Sequence, residues 1–144
     1  MFRNIVVGVD GSEQSDLAIR LACDLALKYD GKIHLVNAPE LGTVELAMGA
    51  GAYSIPPSDA HVEAAGKKIM EEAVEVAKDS GIKAESTTIG RGTPSKEVLA
   101  AAETTGADLI VTGRRGLGGI AGTLMGSTSQ KIAHNAKCAL LTVA

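Results

Sequence analysis

Gly113-Arg-Arg-Gly116, followed after nine residues by Gly126-Ser127, is the stretch of this 144-residue chain best suited to chemistry. Glycine lets main-chain N–H groups approach a polyanion that side chains would hold off, and the signature begins right after the apolar run Asp108-Leu-Ile-Val-Thr112. The second turn, Gly126-Ser127-Thr128-Ser129, reads as the opening of the last helix, so uncompensated N–H groups and the positive end of the helix dipole face the same anion. Ser127 and Thr128 add hydroxyls to those donors, although both are also ordinary N-cap residues. Arg114 and Arg115, the only adjacent arginines, sit inside the signature and can neutralise phosphate charge. The chemistry expected is the binding of a small phosphate-bearing anion.

A second candidate follows the first apolar run. Asp10 can accept hydrogen bonds from a ribose or an adenine amino group, or stand near a phosphate-bound Mg²⁺; Asp-Gly is equally a turn dipeptide. Catalytic residues are not apparent. His34, His61 and His134 are scattered, and none has a partner at nucleophile or metal-ligand spacing. There is no Gly-x4-Gly-Lys-Ser/Thr loop. Gly116-x-Gly118-x-x-Ala121 imitates a dinucleotide fingerprint, but it follows a late strand and has no acidic residue about 20 positions on.

The elements that must position these residues alternate along the chain. Asn4 to Val9 is a short apolar run suited to a central parallel strand, and Asp10-Gly11 ends it. Ala18, Leu21, Ala22, Leu25 and Ala26 follow helical spacing, with Ser12 as cap and Gly31 as stop. Lys32 to Ala38 supplies a second strand. Residues 39 to 58 hold three glycines and three prolines without sustained periodicity and read as a long loop, of the kind that forms lids or mobile segments.

A long helix then runs from Ser58 or Asp59 to about Ser80, with Ala65, Ile69, Ala73, Val76 and Ala77 on one face. Lys83 to Ile89 suits a sheet edge. Thr93-Pro94 starts a helix with Val98, Leu99 and Ala102 inward, ending at Gly106. Leu109 to Thr112 is the fourth strand, Ser127 to about Asn135 the last helix, and Ala139 to Val143 the fifth strand. Such alternation predicts a doubly wound α/β sandwich in one domain, residues 1–144.

The Gly-x2-Gly-x9-Gly-Ser spacing, the opening Asn4-Ile-Val-Val-Gly-Val-Asp-Gly-Ser12 and the closing Lys137-Cys-Ala-Leu-Leu-Thr-Val143 together resemble the universal stress protein family, in its ATP-binding subgroup. The resemblance covers the whole chain. Ala139 departs from it, where the family often has proline, at the entry to a strand and away from the nucleotide site. The resemblance implies a five-stranded parallel sheet of order 3-2-1-4-5, a Rossmann-like sandwich of the adenine nucleotide alpha hydrolase type. Its reversal between strands 1 and 4 brings Asp10-Gly11-Ser12 and Thr112-Gly113 to one crevice. It further implies that Val9 and the main chain of Asn37 and Ala38 meet the adenine, that Thr112 and Gly113 pass near ribose and phosphates, and that Arg115 reaches the ligand more readily than Arg114. With Gly116, Gly126, Ser127, Thr128 and Ser129 these make the expected site for ATP, with or without Mg²⁺ near Asp10. ADP, AMP and cyclic AMP present the same base.

Composition bounds the rest. At this length a domain buries roughly 70% of the surface its unfolded chain exposes, so one core suffices. A formal net charge of −3, two Tyr, one Phe and no Trp give neither a basic stripe nor stacking platforms, which argues against nucleic acid. Met1-Phe-Arg leads straight into a strand and no apolar run reaches the ~18 residues of a membrane helix, so a cytoplasmic protein without membrane contact is expected. Cys23 and Cys138 suit reduced, half-buried thiols. The short apolar fifth strand, at the sheet edge in the implied order, invites a second copy and predicts a homodimer. The functional expectation is a nucleotide-dependent stress-response module acting through a protein partner. A slow ATPase or adenylyl-transfer enzyme and a nucleotide-free dimeric signalling module are the alternatives, and the intact glycines count against the last.

Overall fold

A computed structural model describes residues 1–41, 44–48, 51–114 and 125–144. In chain order the elements are β1 (Asn4–Gly8), α1 (Glu13–Tyr29), β2 (Lys32–Asn37), β3 (Val44–Met48), β4 (Gly51–Ile55), α2 (Asp59–Asp79), β5 (Ser86–Ile89), α3 (Pro94–Thr105), β6 (Leu109–Gly113), α4 (Ser127–Asn135) and β7 (Ala139–Val143). Five strands form one parallel sheet in the order β5-β2-β1-β6-β7. Counted as the five strands expected from the sequence, this is the order 3-2-1-4-5. The sheet reverses between β1 and β6, where Ile5 pairs with Leu109 and Gly8 with Thr112.

Alternation along the strands divides the core in two. Ile5, Val7, Ile33, Leu35, Leu109 and Val111 pack with Ala18, Ile19, Ala22 and Cys23 of α1 and Met70, Ala73 and Ala77 of α2. Val6, Val36 and Ile110 pack on the other face with Val98 and Ala102 of α3 and Ile132 of α4. Ile5, Val6 and Val7 are all fully buried, which is why β1 reads as an unbroken apolar run. At Gly8 an added Cβ would stand 3.1 Å from a Thr112 methyl and 3.2 Å from a Val98 methyl, so β1 ends where β6 and α3 close on it.

Strand ends at β1, β2 and β6 shift by one residue from the sequence expectation, and larger differences lie at α1, β5 and residues 39 to 58. Helix α1 is capped by Ser12 as expected, but its left-handed stop is Asp30 (φ 52°, ψ 48°), one residue before Gly31. Asp tolerates this conformation better than most side chains. Gly31 is needed for a different reason: a Cβ there would collide with the Phe2 carbonyl. The strand expected from Lys83 is regular only from Ser86. The long loop of residues 39 to 58 contains the antiparallel pair β3–β4, with Val44 opposite Ile55, Leu46 opposite Tyr53 and Met48 opposite Gly51. Two five-residue strands carry too few alternations to stand out among glycines and prolines, so the hairpin escaped periodicity.

Candidate functional site

Three segments meet at the carboxyl ends of β2, β1 and β6, beside the reversal in strand order. The first joins β1 to α1. One Asp10 carboxylate oxygen, Oδ1, accepts from the Ser12 N–H at 3.0 Å and from the Ser12 hydroxyl at 2.6 Å. Ser12 Oγ in turn accepts the Ser15 N–H at 3.2 Å, and Ser15 Oγ accepts the Asp10 N–H at 3.2 Å. Gly11 supplies the positive φ of 79° that the turn needs. The Asp-Gly pair therefore acts as a turn here, and its carboxylate also organises the helix cap. Ser15, 2% exposed, completes this loop and escaped the sequence reading because a serine three residues past a cap looks like any helix surface residue.

The second segment ends β2. The Val9 N–H donates to the Val36 carbonyl at 2.8 Å and the Asn37 carbonyl accepts the Gly90 N–H at 2.7 Å, so the strand ends are stitched across β1, β2 and the turn after β5. Val9 and Ala38 are buried. Asn37 is buried too, and its side chain donates from Nδ2 to the Val9 carbonyl at 2.8 Å. Its side-chain bond was not foreseen, although a lone amide closing the run Ile-His-Leu-Val is a visible signal.

The third segment joins β6 to α4. Thr112 is 5% exposed and Ser129 3%. Their hydroxyls are 3.5 Å apart, and Ser129 Oγ donates to the Gly113 carbonyl at 2.8 Å, tying the first turn of α4 to the end of β6. Arg114 donates its N–H to the Val143 carbonyl at 2.6 Å and accepts the Gly126 N–H at 2.8 Å, so Gly113, Arg114 and Gly126 are neighbours although 11 residues separate the last two. Gly126 is the N-cap of α4 and brings no side-chain cap bond. The first helical bond runs from the Gln130 N–H to the Gly126 carbonyl at 3.0 Å, which places the N–H groups of Ser127, Thr128 and Ser129 ahead of it. An anion at this end meets main-chain donors and the positive pole of the dipole. The Arg114 side chain is exposed; Arg115 and Gly116 lie outside the described residues.

Among the described residues no three His, Cys, Asp or Glu side chains come together as a metal site would need. His34 is buried with Nδ1 2.8 Å from Ser86 Oγ, on the β2–β5 side of the sheet. Burial pushes its pKa down, with Glu85 pulling weakly the other way. His61 shares the α2 cap with Ser58, at 3.1 Å, and His134 ends α4. Burial raises the Cys23 thiol to about 11, which keeps it protonated near neutral pH. No helix among the described residues is long and apolar enough to cross a membrane.

Comparison with known proteins agrees with this architecture. The sequence model of the universal stress protein family matches residues 1–144. Universal stress protein YxiE of Bacillus subtilis is 31% identical over 148 aligned positions covering 99% of both chains. A universal stress protein solved in complex with cAMP is 28% identical, with a TM-score of 0.71 over 99% of this chain and 97% of that one. At 16% identity, a universal stress protein from Archaeoglobus fulgidus in complex with dAMP shares the fold, with a TM-score of 0.70 over 100% and 98% of the two chains. With the family match running the full length and a 31% identical relative aligned end to end, the chain belongs to the universal stress protein family.

Proposed function

We propose that the protein binds an adenine nucleotide in the crevice between Asp10-Gly11-Ser12 and Gly113-Arg114/Gly126-Ser127, and that occupancy sets its interaction with a protein partner in a stress response. The observation that carries this reading is the uncapped start of α4, with the Ser127 and Thr128 N–H groups presented beside the main-chain clamp between Arg114 and Gly126. The relative solved with cAMP, 28% identical, supports a nucleotide of the adenine class. ATP is the ligand proposed, since a run of main-chain donors is best used by a polyphosphate; Arg115 and Gly116 join the site in this reading, as do Val9, Asn37, Ala38, Thr112 and Ser129, with Mg²⁺ carried by the nucleotide near Asp10.

The chain works as one domain in the cytoplasm and pairs with a second copy through β7, whose outer edge has no strand beside it among the described residues. Native mass spectrometry of the purified protein, then calorimetry with ATP, ADP and AMP on wild type and Gly126→Val, tests the site. Gly126 has φ −66° and ψ 154°, which valine adopts freely, so the substitution blocks the approach to α4 without straining the main chain. Co-purified nucleotide, or binding that Gly126→Val weakens at least tenfold, is expected. A wild-type protein that binds none of the three nucleotides overturns the reading.

A further inference from the structure

His34 is 8% exposed on β2, on the Val36 side of the sheet, and its register partner on β5 is Ser86. Nδ1 of the ring stands 2.8 Å from Ser86 Oγ. Nε2 is shielded from water and, among the described residues, meets no hydrogen-bond partner. A neutral imidazole has one donor and one acceptor, so the serine hydroxyl can answer Nδ1 in either role and a single neutral group is left unmet. An imidazolium has two donors, and the second would be a charged N–H facing no acceptor in a buried place. Of the charged groups around the ring, Glu85 favours protonation and Lys32 opposes it; these two are bonded to each other at 3.0 Å, and burial outweighs both. Helix α3, packed on this face of the sheet, brings Lys96, Glu97 and Glu103. Glu97 accepts the Gly92 N–H, Glu103 accepts from Lys137, and Lys96 is exposed.

The strand across from the ring is lightly held. β5 has four residues at the sheet edge, three of them exposed, and β2 is the one strand beside it among the described residues. An open groove of about 380 Å³, lined by Met70 and Val74 of α2 and by Thr87 and Ile89, leaves its packing on that side incomplete. The Glu85 N–H to the Ile33 carbonyl, at 2.9 Å, and the Gly90 N–H to the Asn37 carbonyl, at 2.7 Å, close the pairing at its two ends. Parting β5 from β2 brings water to the ring and costs less than unfolding the whole chain.

We propose that protonation of His34 detaches β5 and the turn after it from β2, which gives the fold an acid-responsive edge. The inference stands apart from nucleotide binding. The neutral ring keeps the edge closed above the unfolded pKa of 6.5, and this hold is lost as pH falls from there through the lower folded pKa.

Native-state hydrogen exchange in low urea, read at the Glu85 and Gly90 amides at pH 7.5 and pH 5.5 and corrected for intrinsic rates, tests this. The opening equilibrium is expected to rise about threefold to tenfold on acidification, tenfold being the limit for one proton bound below 6.5. It should depend only weakly on urea, the mark of an opening smaller than global unfolding. His34→Gln, neutral at both pH values, is expected to show no rise. Equal opening at the two pH values, a rise that persists in His34→Gln, or exchange that follows global unfolding in urea overturns the proposal. Should His34→Gln not fold, the wild-type ring resonance decides: the rise must level off at the pH where that resonance titrates, and a mismatch overturns the proposal.

Discussion

Ser12 joins two functions in one hydroxyl: it accepts the Ser15 N–H that starts α1 and donates to the Asp10 carboxylate that shapes the turn. Ser12→Ala removes both bonds and is expected to cost about 1–2 kcal/mol in urea denaturation, the range for losing a helix cap. His34 gives a pH dependence of definite sign. Its folded-state pKa is lowered from 6.5, chiefly by burial, so the unfolded chain takes up a proton more readily than the folded one. The neutral imidazole's contribution to stability is fully present above the unfolded pKa of 6.5 and is lost as pH falls from there through the folded pKa. The melting temperature is expected to fall between pH 7.5 and pH 5.5, and less steeply in His34→Gln; parallel curves for the two proteins would count against it. The cysteines differ in access. Cys23 is fully buried and raised to about 11, whereas Cys138 is half-buried and raised by the same cause to a smaller extent, so iodoacetamide at pH 8 should label Cys138 first by peptide mass spectrometry.

At the scale of elements, glycines mark where helices and strands come closest, and three of them rank by what a methyl group would meet. Gly31→Ala drives Cβ into the Phe2 main-chain carbonyl, an obstacle that cannot rotate aside. Gly66→Ala meets a branched methyl of Ile89 and gains up to about 1 kcal/mol of helix propensity in return. Gly106→Ala meets nothing within 4 Å and loses only the ease of its left-handed φ of 61°. Denaturation midpoints should show Gly31→Ala as the most damaging, at about 2–3 kcal/mol, with the other two near 1 kcal/mol. These same elements measure what the sequence discloses. Buried strands such as β1 and β6 announce themselves because three or four apolar residues in a row have no alternative environment, and α4 was legible to the residue because Gly126-Ser127 and Asn135 bracket it. The hairpin β3–β4 was missed for lack of length. The glycines of the proposed crevice could be read from the sequence, but not the clamps beside them: Ser129 to Gly113, Gly126 to Arg114 and Asn37 to Val9 all involve a main-chain partner, and such partners carry no residue type to read.

For the whole molecule, the edge at β7 is where we propose that a second copy pairs. Leu141 and Val143 lean toward the α1 side of the core, Leu140 toward the other, and Leu17 on α1, the helix packed against β7, is 48% exposed. Sedimentation is expected to give a two-chain mass for the wild type and one chain for Leu141→Pro, because proline removes a ladder donor and its ring fills the edge; a wild-type monomer at micromolar concentration would sink the dimer.

The placement of β1 at the middle of the sheet has a kinetic side. Its neighbour β6 arrives late in the sequence, and the bond from the Arg3 N–H to Asp108 spans 105 positions. At synthesis rates of roughly 5–20 residues per second, this central strand, with three fully buried apolar residues in a row, waits several seconds on the ribosome with one side unpaired. The segment that makes the finished sheet coherent is therefore left open to aggregation while the chain is being made, and folding from denaturant should fall in the slower millisecond-to-second range of non-local topologies.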